Sequence, residues 1–262
     1  MQKNILVLMI VILTISCKTS STNQKDVVKT EPTPEYKQQM ENLEKKIYFR
    51  AMGNEPEWSL KISESSIEFS SLKPGFESFT SPHAQPVRAM DANVKMYHLA
   101  TESGAMNIQV SQQECVNTMS GEKFPYTIRI EMTKNSKSNT FNGCGNYITD
   151  SRLHDIWALE KLNGAIVNPA DYSKGVPNLE INSSTNIFMG HAGCNRMNGS
   201  IFYELGLIRF TDIITTRMAC PANNKEAEFL KALRSATSYT VENVRLTLSN
   251  PNGELLVFKK VD

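Results

Sequence analysis

Two short segments hold the residues whose types and spacing are best suited to chemistry. They are residues 191–199, with the sequence HAGCNRMNG, and residues 216–220, with the sequence TRMAC. His191 and Cys194 lie three residues apart, and Cys220 adds a third potential soft ligand for a metal ion. Structural zinc uses four ligands with paired spacings, and this pattern has neither. No C-x-x-C redox motif accompanies the cysteines, so a cysteine staple is the favoured interpretation.

The same segments contain three polar side chains that could contact a partner: Asn195, Arg196 and Arg217. Asparagine tolerates left-handed backbone and closes turns with its side chain. Two alternatives therefore stay open: a turn held together by Asn195, and a loop that faces a ligand or partner. We take these three residues as the candidate partner-binding set.

The remaining polar residues form no catalytic constellation, and we predict neither a catalytic residue nor a cofactor or metal. Ser120 lies in an M-S-G sequence rather than in the G-x-S-x-G elbow of a hydrolase. Glu55 and Glu57 flank Pro56, which indicates a turn rather than a paired acid and base. A non-enzymatic scaffold should have no deep pocket, and a cleft lined by Glu55, Glu57 and His98 would contradict that interpretation.

The N-terminus predicts export. Residues 1–16 combine a short positive start with an apolar run that is too short to span a membrane, which is typical of a secretory signal. Residues 13–17 (LTISC) resemble the lipobox of bacterial lipoproteins. That resemblance implies a lipid on Cys17, and hence a membrane partner through the anchor and a place in the cell envelope, at the outer membrane facing the periplasm. An ordinary cleaved signal with an incidental cysteine is the alternative.

Export favours disulfides for the other four cysteines, because extracytoplasmic compartments are oxidising. Four cysteines permit three pairings, among which sequence alone does not choose. A division of the chain into two domains favours Cys115–Cys144 and Cys194–Cys220. Each bridge would stabilise its domain by roughly 3–4 kcal/mol in the chain-entropy model. Free buried thiols remain the alternative.

Charge argues against nucleic acid as a partner. The chain has 28 Lys and Arg against 27 Asp and Glu, and electrostatic binders need clustered positive charge. The partners we expect are therefore the membrane and an envelope protein or ligand.

The elements that would position these residues are mostly short strands. Residues 17–46 are polar and predict a flexible tether after the lipidated cysteine, although residues 34–46 could form a helical turn or two. Residues 47–150 then alternate apolar and polar side chains between turns, which predicts an antiparallel barrel or sandwich. In this region G-N-E-P-E-W (53–58), C-V-N-T-M-S-G (115–121) and a late G-C pair (143–144) resemble an uncharacterised family of bacterial envelope proteins. That family brings no established activity.

Residues 155–262 form the second predicted domain. Their landmarks run in order: W-A-L-E-K-L-N-G (157–164), P-N-L-E-I (177–181), the two segments described first, and E-A-E-F-L-K-A-L (226–233). Together they resemble the META domain of the HslJ-like heat-shock proteins. The resemblance implies an α+β unit, a curved antiparallel sheet or barrel with one helix packed on it. It also implies an envelope protein linked to stress tolerance, with no agreed enzymatic activity.

The sequence thus predicts a mainly β chain with some α, in two small β-rich domains. Its expected function is a non-enzymatic cell-envelope lipoprotein with a binding or scaffold role in envelope stress tolerance. The alternative is an inhibitor or sequestering protein that acts on an envelope hydrolase such as a lysozyme or a protease.

Overall fold

A computed structural model of the chain describes residues 34–102, 104–221 and 223–261. The predicted signal peptide at 1–16 and the lipidation site Cys17 lie outside these ranges. No helix within them is both long and apolar enough to cross a membrane. Within the described ranges almost all regular structure is β, in two large antiparallel sheets with one α-helix beside each.

The first sheet has nine strands in the order β4-β3-β2-β1-β11-β10-β7-β6-β5. Its strands, and the small separate ribbon of β8 and β9, are β1 (Ile47–Asn54), β2 (Glu57–Ser63), β3 (Ser66–Ser71), β4 (Ser78–Pro82), β5 (Val87–Arg88), β6 (Val94–Thr101), β7 (Gly104–Ser111), β8 (Cys115–Val116), β9 (Lys123–Phe124), β10 (Tyr126–Lys134) and β11 (Lys137–Tyr147). Alternate side chains point inward, as in β10, where Ile128, Ile130 and Met132 are buried between exposed neighbours. The sheet curls around this core as a half-barrel, which is closer to the barrel than to the sandwich of the sequence prediction.

The second sheet closes on itself. Its strands are β12 (Asp155–Leu162), β13 (Ala165–Ile166), β14 (Asn178–Asn182), β15 (Ile187–His191), β16 (Arg196–Glu204), β17 (Leu207–Thr215), β18 (Ser238–Glu242), β19 (Arg245–Asn250) and β20 (Gly253–Lys260). Each strand pairs with its neighbour in chain order, except that β14 pairs with β12 beyond the short β13. A further pairing joins β12 to β20 and completes the ring.

The helix α2 (Glu226–Ser235) covers the second sheet. Phe229 and Leu233, four positions apart on one face, are fully buried, and Phe229 packs edge-on against Phe258 of β20. The predicted fold class is confirmed here: a curved antiparallel sheet with one packed helix.

The helix α1 (Pro34–Glu44) occupies a segment that the sequence assigned to the flexible tether. It is longer than the turn or two considered there, and two of its side chains hold it on the first sheet. Asn42 Oδ1 accepts from Arg50 Nε at 2.7 Å, and Glu41 forms ion pairs. Glu41 contacts Arg50 at 2.6 Å, Lys61 at 2.7 Å and Lys45 at 3.2 Å. The composition of α1 gave little sign of this, because two of these cations belong to β1 and β2 and reach the helix only in the folded chain.

Candidate functional site

The two segments that opened the sequence analysis meet at a disulfide. Cys194 and Cys220 are bonded, with their Cα atoms 6.0 Å apart, and Cys115 and Cys144 form the second bridge at 5.4 Å. Both predicted pairings are confirmed. Each bridge lies within one of the two large sheets and its loops.

Asn195 is 5% exposed, and its side chain is fully used inside the protein. Its Nδ2 donates to Glu226 Oε1 at 2.8 Å and to Cys220 Sγ at 3.3 Å. Its Oδ1 accepts from Met218 N at 2.7 Å and from Thr216 Oγ1 at 2.9 Å. An asparagine side chain has two protons to donate and two lone pairs to accept, so this one has nothing left for a partner. The geometry favours the turn alternative for Asn195.

Arg196 and Arg217 differ from Asn195, because both are exposed at the surface. A partner could reach them, although the structure brings them to no cleft. His191 is half-buried, and its Nδ1 accepts from Gly193 N at 3.2 Å. Burial lowers the pKa of His191, which keeps this turn histidine neutral.

One group of potential metal ligands occurs among the described residues, and it is built on this same disulfide. The ligand atoms of Cys194, Cys220 and Glu226 lie within 4.8 Å of one another. The two sulfur atoms are bonded to each other in the disulfide, so neither is available as a thiolate ligand for a metal ion. The Glu226 carboxylate accepts from the backbone N–H groups of Cys194 at 2.9 Å and Asn195 at 2.6 Å. These contacts describe a loop anchor rather than a metal centre.

The motifs of the first sheet form a similar anchor. Asn117 is 7% exposed, and its Oδ1 accepts from Asn54 Nδ2 at 2.9 Å and from the backbone of Met119 at 2.9 Å. The indole of Trp58 donates to the Asn142 carbonyl at 3.2 Å. The G-N-E-P-E-W turn and the C-V-N-T-M-S-G loop are thereby held together beside the Cys115–Cys144 bridge.

The side chains considered for acid–base or nucleophilic work remain at the surface. Glu55, Glu57, His98 and Ser120 are all exposed, and none of them lines a cleft among the described residues. His98 Nδ1 lies 2.9 Å from Asn107 Oδ1 across two strands.

A different cleft, of about 410 Å³, lies where the two sheets meet. The first sheet and the segment between β4 and β5 supply most of its wall, and the β16–β17 hairpin supplies the rest. The lining residues are Tyr48, Glu64, His83, Gln85, Pro86, Arg88, Lys95, Tyr97, Tyr147, Glu204, Leu205 and Leu207. Its size falls within the usual range for small-ligand sites. The expectation that a scaffold would have no deep pocket is therefore not met.

A buried ion pair joins the two sheets at this cleft. Lys95 Nζ of β6 lies 2.6 Å from Glu204 Oε1 of β16, and the two side chains are 5% and 6% exposed. Glu204 Oε2 also accepts from Asn93 Nδ2 at 2.7 Å and from the Tyr126 hydroxyl. Burial alone would raise the pKa of Glu204, but the hydrogen bonds from Lys95, Tyr126 and Asn93 outweigh it and hold the pKa below its ordinary value. Glu204 is therefore ionised at neutral pH.

Three tyrosines cluster on the first-sheet side of the cleft. The Tyr48 hydroxyl lies 2.8 Å from His83 Nε2 and 3.4 Å from the Tyr97 hydroxyl. Tyr147 packs between Tyr48 and Phe49, with ring centroids 6.3 Å and 4.9 Å away. Burial raises the pKa of Tyr48, Tyr97 and Tyr147, so all three keep their protons at neutral pH.

The hairpin that reaches into the cleft has a strained tip. Glu204 pairs with Leu207 across a two-residue turn, Leu205-Gly206, in which both residues have positive φ (25° and 85°). Such turns normally carry asparagine or glycine at the first position, and leucine there is costly. Leu205 is nevertheless 54% exposed beside the cleft, so burial of its side chain does not account for its position.

Sequence reasoning did not anticipate this cleft, although one signal was present. Along β6 the buried positions are Lys95, Tyr97 and Leu99, which places a lysine on the core face of the strand. A buried lysine requires a partner. Glu204, the partner, lies 109 residues away, and no local sequence pattern connects the two positions.

The comparisons with known proteins support the assignment of the C-terminal region. The family model described as META domain matches residues 150–262, the C-terminal region in which the sequence resembles that family. The META domain is not a known enzymatic family.

Two solved structures cover a similar share of the chain. One NMR structure is 24% identical, covering 41% of this chain and 90% of its own, with a TM-score of 0.33. An NMR structure of a protein from Burkholderia xenovorans is 26% identical, covering 42% and 86%, with a TM-score of 0.36. No match was found among curated proteins.

Proposed function

We propose that this chain is a non-enzymatic lipoprotein of the bacterial cell envelope, and that the cleft between its two sheets is its binding site. Its role is that of a binding or scaffold protein in envelope stress tolerance. The proposal combines the META domain at residues 150–262 with the polar, tyrosine-lined cleft.

One observation carries the binding role. Tyr147 is 4% exposed and lines the cleft, and its hydroxyl makes no hydrogen bond with any described residue. The hydroxyl oxygen is not one of the fully enclosed polar atoms without a partner, so it is open to the cleft and free to bond to water or to a ligand. A hydroxyl held open in a cleft is the feature expected of a site that completes its hydrogen bonds when occupied.

The place in the envelope rests on the sequence of residues 1–17 and on the two disulfides. Paired cysteines fit an exported protein, because the cytosol keeps thiols reduced. A lipid on Cys17 would hold the chain at a membrane, expected to be the outer membrane on its periplasmic side. Replacing Cys17 with Ala should move the protein from the membrane fraction to the soluble fraction of the cells.

In-cell photocrosslinking tests the binding role. A photoreactive amino acid replaces Gln85, an exposed residue of the cleft wall, and in a matched strain it replaces Glu180, an exposed residue on β14 away from the cleft. We expect adducts that are specific to position 85 and that change in amount between heat-stressed and unstressed cells. Identical adducts from both positions, or none from position 85, would contradict the cleft as the binding site.

A second candidate function, an inhibitor of an envelope hydrolase, is favoured by a single observation. Such an inhibitor needs a protruding side chain that fits a target site, and Met90, between β5 and β6, is fully exposed at 104%. The purified protein should then inhibit a lysozyme or an envelope protease, and Met90→Ala should abolish the effect. Unchanged hydrolase activity at high protein concentration would rule out this candidate.

A further inference from the structure

The groups that wall the cleft indicate the chemical class of its ligand, and this inference rests on the binding site proposed above. Both carboxylates in the wall are already paired with cations. Glu204 is matched by the buried Lys95 at 2.6 Å, and Glu64, at the rim, is matched by Lys46 at 2.9 Å. Neither carboxylate is left to attract a cationic ligand.

Arg88 contributes the positive charge that remains. It lines the cleft, it is exposed, and no described residue forms an ion pair with it. Arg88 lines the same cleft as Tyr97 and Tyr147. Burial raises the pKa of both tyrosines, and the nearby charge of Arg88 opposes that shift. The open cation and the open hydroxyl of Tyr147 therefore lie in the same cleft.

The hairpin tip adds an apolar surface to the cleft. Leu205 and Leu207 are 54% and 44% exposed there, and Pro86, between β4 and β5, lines the same cleft. Exposed leucines at a cleft mouth provide a surface on which a short apolar chain can be buried.

We infer that the cleft binds a small organic monocarboxylate with an apolar chain, its carboxylate held by Arg88 and Tyr147 and its chain lying against Leu205 and Leu207. One unmatched cation in the cleft wall favours a ligand with a single negative charge. A guanidinium presents paired N–H donors that suit a carboxylate, and a protonated phenol adds a third donor.

Isothermal titration of the purified full chain with octanoate tests the inference, with octan-1-ol and octylamine as probes of the same chain length. We expect octanoate to bind and the neutral and cationic probes to bind at least about tenfold more weakly, since a charge-assisted hydrogen bond contributes on the order of one decade in affinity. Tyr147→Phe removes only the hydroxyl and keeps the ring packing. It should weaken octanoate binding about tenfold, as should Arg88→Gln.

Matched variants outside the cleft control for general effects of the substitutions. Tyr172→Phe removes a buried hydroxyl that has no hydrogen-bond partner, in the core of the second sheet. Arg234→Gln removes an exposed arginine from the last turn of α2. Both should bind octanoate as the wild type does. Thermal unfolding of each variant establishes that a loss of binding is not a loss of fold.

Equal affinity for octanoate and octan-1-ol would overturn the inference, as would Tyr147→Phe and Arg88→Gln variants that bind like the controls. The crosslinking experiment separates this failure from failure of the proposed function. Adducts specific to position 85 without octanoate binding would mean that the cleft binds a ligand of another class. Loss of both signals would remove the binding role of the cleft itself.

Discussion

Two buried asparagines have the same task in the two halves of the chain. Asn117 follows Cys115 and ties its loop to Asn54, and Asn195 follows Cys194 and ties its loop to Glu226. In each case a disulfide closes the loop and an amide side chain satisfies the polar groups that the loop leaves inside. The residues that make the sequence recognisable are thus the ones that fix its turns.

Replacing Asn195 should therefore affect stability. Asn195→Ala removes four side-chain hydrogen bonds and leaves buried polar partners unpaired, so we expect a loss of roughly 2–4 kcal/mol in the free energy of unfolding. Arg196→Ala and Arg217→Ala, at exposed positions, should stay within about 0.5 kcal/mol. Urea titration measures all three. A fully stable Asn195→Ala that loses its crosslinked partner would instead support a binding role.

Glu204 makes stability depend on pH in a defined direction. Its pKa is lowered in the folded chain, so its contribution is complete above the ordinary glutamate pKa of 4.5 and is lost as the pH falls through the lower folded value. Glu204→Gln leaves Lys95 buried without its counter-ion and should cost about 3–5 kcal/mol at pH 7. The difference between wild type and variant should shrink below pH 4.5. Glu242→Gln, at an exposed position, is the control, and a constant difference across this pH range would contradict the assignment.

The sequence predicted the roles of individual residues where those roles depend on neighbouring positions in the chain. The division of the chain into two domains predicted which cysteines pair. The asparagine and glycine content of residues 191–199 predicted that they form a turn. The cleft could not be predicted in the same way. Tyr48, His83, Lys95, Tyr147 and Glu204 are brought together only by the pairing of distant strands, which single-residue patterns do not report.

At the scale of elements, α1 shows how three cations can fix a helix of ordinary composition. Salt bridges from Arg50, Lys61 and Lys45 lower the pKa of Glu41 to about 2. Its docking contribution is therefore complete above pH 4.5 and is lost only as the pH falls through about 2. Glu41→Gln should speed amide exchange in α1 about tenfold at pH 7, because exposed ion pairs contribute a fraction of a kcal/mol each and three act together here.

Glu44→Gln provides the matched control on the same helix, because Glu44 is exposed and has no partner among the described residues. Its amide exchange should equal that of the wild type. If both variants exchange equally fast, the Glu41 contacts do not hold α1 in place.

The disulfides stabilise their elements by closing loops of similar length. The paired cysteines are 29 and 26 residues apart, so each double Cys→Ser variant should lose roughly 3–4 kcal/mol of unfolding free energy. Urea titration of the Cys115→Ser/Cys144→Ser and Cys194→Ser/Cys220→Ser variants measures both. A loss confined to one pair would show that the other loop is held by its asparagine alone.

Elements with strong local signals were well predicted. The E-A-E-F-L-K-A-L landmark at residues 226–233 lies in the helix Glu226–Ser235, whose apolar stripe packs on the second sheet. Strand β16 (Arg196–Glu204) ends on Glu204, whose burial depends on the rest of the fold.

For the whole molecule, the β16–β17 hairpin is the element of the second sheet that packs against the first sheet. Phe202 and Tyr203 pack against the core of the first sheet, and the Phe202 ring lies 6.3 Å from that of Tyr126. Thr149 Oγ1 adds a hydrogen bond to Asn186. The cleft exists only while this contact holds, because Leu205 and Leu207 belong to the hairpin and the tyrosines to the first sheet.

Calorimetry should show that the two sheets unfold together, because each depends on its contact with the other. Interfaces between domains couple their unfolding only when they are well packed and paired, and Lys95–Glu204 lies at the centre of this one. We expect the wild type to unfold in one transition and Glu204→Lys, which sets two cations against each other, to unfold in two. Glu242→Lys makes the same charge change at the exposed end of β18 and should keep the single transition. If Glu204→Lys also unfolds in one step, packing of Phe202 and Tyr203 alone couples the sheets, and the buried ion pair serves the cleft.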